Sequence, residues 1–125
     1  MRGIAFYFFA FAVLCVTIGM LWGIQMAASG DHALAPAHAH LNLVGWVSMG
    51  LFGLYYRLTP TAADAGLAKI HFVLAALGVI VMIPGIVLAL SERGEMLAVA
   101  GSFLSLASML IFGLTVLRHG FGARA

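Results

Sequence analysis

Four stretches nearly free of Asp, Glu, Lys and Arg divide this chain: residues 3–30, 32–56, 70–91 and 94–117, the last broken only by Glu95 near its start. A bilayer core about 30 Å thick needs roughly 20 apolar residues in helical form. Inside it only helices or closed barrels satisfy their own backbone polar groups. Each stretch meets that length. Composition agrees, since 64% of the 125 residues are hydrophobic and 8% are charged. Six basic and four acidic side chains cannot give a soluble domain of this size its polar skin. The expectation is an all-α integral membrane four-helix bundle, a single domain over residues 1–125. Its helices are expected at about 4–28, 36–58, 67–90 and 95–119.

The first stretch is too long for the roughly 7–15-residue core of a signal peptide, so it reads as a retained helix. Pro36 suits a first helical position, where its missing N–H costs nothing. "TPTAADAG" separates the second helix from the third, and "SERGE" makes a short turn before the fourth. Pro84 beside Gly85 predicts a kink inside the third helix. Gly19 and Gly23 have the GxxxG spacing, and Gly101, Ser105 and Ser108 form a comparable small face; both point to close helix packing. Cys15 stands alone, so no disulfide framework exists.

With the N-terminus inside, Arg2, Arg57, Lys69, Arg118 and Arg124 are cytoplasmic and only Arg93 is outside, which supports both termini being cytoplasmic. The pI near 9.1 then reflects topology, and nucleic acid is not an expected partner. Membrane lipid is.

Residues 36–47, "PAHAHLNLVGWV", place two histidines one residue apart at the outer mouth of the second helix. At about 100° per residue, positions two apart point roughly 200° apart. His38 and His40 therefore cannot hold one metal ion together while both are helical. Asn42, Gly45, Met49 and Tyr56 follow below His38; Val44, Val47 and Leu51 form an aliphatic wall below His40. Gly45 makes a notch against which a flat ring system would lie. Two readings stand on the residues alone. The histidines are interfacial groups touching water and headgroups, or they ligate iron at the centre of a large apolar ring such as haem.

"AHAHLNLVGWVSMGLFGLYYRLTP", followed by "AKIHFVLAALGVIVMIPGIVLAL", resembles the haem–copper oxidase superfamily, specifically its large catalytic subunit. The likeness covers about half the chain. It implies that His38 and His40 each bind a haem iron, on opposite sides of one helix, with haem b as cofactor. It also implies that Arg93 binds haem propionates, a carboxylate suiting a guanidinium bidentately; the alternative for Arg93 is a local pair with Glu92 or Glu95. The family subunit has three arcs of four helices, and this chain resembles only the last. The copper ligands and the dioxygen-site tyrosine are missing, so oxygen reduction is not carried over and no catalytic residue is assigned.

One chain offers each haem a single histidine, which predicts a homo-oligomer. In a trimer, His40 of one copy and His38 of the next would share a haem; a two-fold dimer pairing like histidines is the competitor. The expected role is bis-histidine electron transfer, fed by a quinol or a periplasmic carrier, in a bacterial inner membrane with the haem toward the periplasm. The alternatives are haem sensing, haem delivery or assistance to oxidase assembly, and a structural membrane module without cofactor. Asp31 and His32 read as a solvated loop, His71 as an interfacial or helix-packing residue at the inner end of the third helix, and His119 as a solvated helix end. Trp22, Trp46, Tyr55 and Tyr56 read as belt or packing aromatics.

Overall fold

The computed structural model describes residues 2–123; Arg124, counted above with the cytoplasmic basic residues, lies outside them. Helix α1 (Ile4–Ser29) ends where Gly30 adopts a left-handed φ of 70° and returns its N–H to the Met26 carbonyl. This is the helix stop that glycine accommodates without a steric penalty. Pro36 lies in the first turn of α2 (Ala35–His40). A π-helical segment, Leu41–Ser48, carries the chain into α3 (Met49–Leu58). His40, Leu41, Ser48 and Met49 all keep right-handed helical dihedrals, so the backbone does not break between 35 and 58. A short α4 (Pro60–Ala63) leads to α5 (Gly66–Leu90) and α6 (Met96–His119).

All regular structure among the described residues is helical, and α1, α5 and α6 are each long and apolar enough to cross a membrane. Large apolar side chains cover the exterior, among them Leu14, Ile24, Leu43, Ile80, Phe103 and Leu110. Such continuous apolar cover is foreign to a water-facing surface and compatible with an integral membrane protein. The expected boundaries hold to within a residue or two. Pro84 lies within α5 and does not end it.

The π segment has a physical account in the spacing of small and apolar residues. Ala37, Leu41, Gly45, Met49 and Gly53 are all buried, each four residues from the last. In an α-helix of 3.6 residues per turn, every fourth residue drifts by about 40°, so this row would wind away from its neighbours. Hydrogen bonding to the fifth residue underwinds the helix and holds the row against α1. The Ser48 hydroxyl follows the same pattern, donating to the Leu43 carbonyl at 3.1 Å.

Two tight pairings organise the rest. α1 packs along the π segment and α3, and α5 packs along α6. A Cβ on Gly101 would lie 2.5 Å from Met82 Cα, and one on Gly85 would collide with the Ala98 backbone. The two glycines thus let the α5 and α6 backbones approach. Phe8, Phe52, Tyr56, Ala75 and Ala76 share one core, with Phe72 and Phe112 packed on it. The Tyr55 hydroxyl donates to the Gly120 carbonyl at 2.7 Å, and Gly122 N–H donates to Thr59 Oγ1 at 2.9 Å, fastening the end of α6 to that of α3.

Gly101→Ala is expected to destabilise the fold by about 1–3 kcal/mol through overpacking. Gly113, with nothing within 4 Å of a Cβ, should accept alanine with no loss or a gain of roughly 0.5–1 kcal/mol. Unfolding of the detergent-solubilised chain, followed by circular dichroism, compares the two.

Candidate functional site

His38 and His40 do lie on opposite flanks of α2, as their spacing requires. Their surroundings differ sharply. His38 is half-buried against α1: its Nε2 is 2.9 Å from the Gly19 carbonyl and 3.2 Å from Asn42 Nδ2. Trp22 meets the same ring edge-on, with centroids 6.1 Å apart. Gly19 and Gly23 make this possible. A Cβ on Gly23 would stand 3.3 Å from His38 Nε2, and one on Gly19 would collide with the Asn42 amide. The GxxxG pair of α1 is therefore a seat for two polar side chains of the facing helix.

His40 faces outward and is exposed. Its Nδ1 lies 2.7 Å from the Pro36 carbonyl one turn earlier. A carbonyl only accepts, so this contact puts the proton on Nδ1 and leaves the Nε2 lone pair free. Orientation of a ligating imidazole by a hydrogen bond to its other nitrogen is the usual arrangement at metal centres. Below it on the same flank run Leu43, Val47, Leu51 and Leu54, all exposed. The apolar wall expected beneath His40 is thus present, with Leu43 in the place assigned to Val44, which the π segment turns partly inward.

Gly45 is not the open notch expected from the sequence. A Cβ there would lie 2.8 Å from Cys15 Sγ, so α1 already fills the space and no flat group can enter it from this chain's own surface. Arg93 is exposed in the turn after α5, whose Glu92 and Gly94 take positive φ of 58° and 109°. Leu41 packs with Val79 and Ile83, which brings the C-terminal half of α5 toward the His40 end of the molecule. Arg93 therefore belongs to that end.

Asp31 and His32 occupy an exposed turn, with Asp31 Oδ1 accepting the Ala33 N–H at 2.9 Å. Among the described residues no three His, Cys, Asp or Glu side chains come together as a metal cluster.

Of the two readings open for His71, interfacial or packing, the structure shows packing. His71 is fully buried, with its Nδ1 2.9 Å from the Tyr56 hydroxyl. Phe8, Phe52 and Phe112 surround the ring with centroids 4.5–5.6 Å away, and Nε2 has no hydrogen-bond partner. The Tyr56–His71 pair ties α3 to α5 inside an aromatic box. No signal in the sequence marks Tyr56 over Tyr55 for this contact.

No family model, no curated protein and no solved structure matches this chain.

Removing the His38 ring strands the Asn42 amide and opens space beside Gly23. His38→Ala is therefore expected to cost about 1 kcal/mol, the scale of interhelical polar contacts in membranes. His40→Ala, which unpairs no group of another helix, should stay within about 0.5 kcal/mol. Unfolding in a graded detergent series, read by tryptophan fluorescence, checks both.

Proposed function

We propose that this protein is a four-helix transmembrane haem b protein of a bacterial inner membrane. Both termini are cytoplasmic, His40 is the axial ligand near the periplasmic face, and the haem is shared between copies for electron transfer. The observation that carries this reading is the outward, accessible Nε2 of His40, with Nδ1 engaged by the Pro36 carbonyl. The sequence likeness to the haem–copper oxidase large subunit supports the same assignment, as does the apolar wall of Leu43, Val47 and Leu51 below the ring. Haem bound there supplies a one-electron couple at its iron. The chain contributes the imidazole, the apolar surface and, through Arg93, a cation for the propionates.

His38 fits a ligand role less well than His40. To reach iron it would have to leave the Gly19 carbonyl and the Asn42 amide. A second axial imidazole then comes most simply from the His40 of another copy. This favours the two-fold arrangement over the trimer, which needs His38 of each neighbour. A haem-delivery or haem-sensing role is the second reading, favoured by the exposure of His40, which in a lone copy leaves one iron position open.

Purified protein expressed with haem should show a low-spin bis-histidine spectrum in the oxidised-minus-reduced difference, with one haem per two chains. His40→Ala should abolish the Soret band, while His38→Ala should keep most of it. Equal loss in both variants with one haem per chain would favour the trimer. Carbon monoxide binding to the reduced protein would favour delivery or sensing. Colourless wild-type protein refutes the haem reading outright.

A further inference from the structure

At the opposite end from His40, a cleft of about 780 Å³ opens between the start of α1, the end of α3 and the start of α5. Three cations from three segments line it, namely Arg2, Arg57 and Lys69, against one carboxylate, Asp64. All four side chains are exposed. Arg2 is held in place by Phe6, its guanidinium carbon 4.7 Å from the ring centroid. Deeper along the helices the lining changes to Phe6, Phe9, Gly53 and Leu54. Gly53 brings the backbones of α1 and α3 together, since a Cβ there would lie 3.1 Å from the Ala5 carbonyl and 3.2 Å from Phe9 N. The floor is apolar and continuous with the exposed flank carrying Phe9 and Leu54.

We propose that this cleft is a binding site for an anionic phospholipid, with the phosphate held among Arg2, Arg57 and Lys69 and an acyl chain along Phe9 and Leu54. The order of the lining is the argument. Cations stand at the level of the helix ends and an apolar groove runs from them along the spanning helices, which is the polarity of a lipid entering from its headgroup side. A free phosphate or a soluble polyanion would use the cations and leave the groove without a ligand. Basic pockets between spanning helices have this headgroup preference on electrostatic grounds, with each cation near the surface adding severalfold to the affinity. The cleft shares only Leu54, the last residue of the apolar wall below His40, with the proposed haem site, and none of its cations.

The test is native mass spectrometry of the delipidated full-length protein in detergent, titrated with dioleoyl-phosphatidylglycerol or dioleoyl-phosphatidylcholine. The wild type should bind the anionic lipid at least about tenfold more tightly. Arg57→Gln and Lys69→Gln should each weaken that binding about fivefold, leaving phosphatidylcholine unaffected. Arg118→Gln removes the same charge outside the cleft and should change nothing. Millimolar inorganic phosphate should not displace the lipid. Equal affinity for the two lipids in the wild type overturns the proposal whether or not the variants fold. So does an Arg118→Gln effect as large as that of Arg57→Gln, which would reduce the preference to bulk charge. Displacement by phosphate would also overturn it, leaving an anion site without a lipid.

Discussion

The close approach of α1 to the helical stretch 35–58 is the constraint on which the rest of this molecule depends. Lipid tails are as apolar as leucine, so helices in a bilayer gain little from hiding apolar surface and must associate by close contact and interhelical hydrogen bonds. This pair does both in one ladder. Gly23 receives His38, Gly19 receives Asn42, Gly45 receives Cys15, and Gly53 receives the Phe8 and Phe9 turn. The small residues lie on α1 in the first two rungs and on the facing stretch in the last two, each opposite a larger partner. The π segment belongs to the same ladder, since its underwinding keeps Leu41, Gly45 and Met49 facing inward.

That ladder also separates the roles of the two histidines. The same rotation that turns His38 into the Gly19–Gly23 seat turns His40 out of it. One imidazole is spent on holding helices together, and the other is left with a free nitrogen oriented by its own backbone. In the proposed haem chemistry this asymmetry would leave one ligand per copy, which makes association between copies part of that proposal. The opposite end of the molecule is built differently. There the Tyr56 hydroxyl meets His71 Nδ1 inside an aromatic box, and the cations collect outside it in an amphipathic cleft.

Much of the architecture was legible in the linear pattern because membrane-length apolar stretches leave few alternatives. Helix boundaries at Pro36 and the "SERGE" turn follow from local backbone preferences, and the opposed directions of His38 and His40 follow from helical pitch alone. The site was legible only in outline. Gly45 looked like a notch because a missing side chain leaves space, but whether that space is open depends on Cys15, thirty residues away. Gly19 and Gly23 looked like generic packing for the same reason. Their partners are polar, and nothing in α1 itself announces that.

By itself the sequence determined that the chain is helical and apolar enough to span a bilayer, and that two imidazoles sit one residue apart at a helix mouth. These are properties of composition and of a fixed helical repeat, so they do not depend on what lies alongside. Only the tertiary structure decided which imidazole is free, which glycine is filled, and that Arg2, Arg57 and Lys69 meet at one cleft. Those outcomes are set by the register between helices, a property of contacts between residues far apart in the chain.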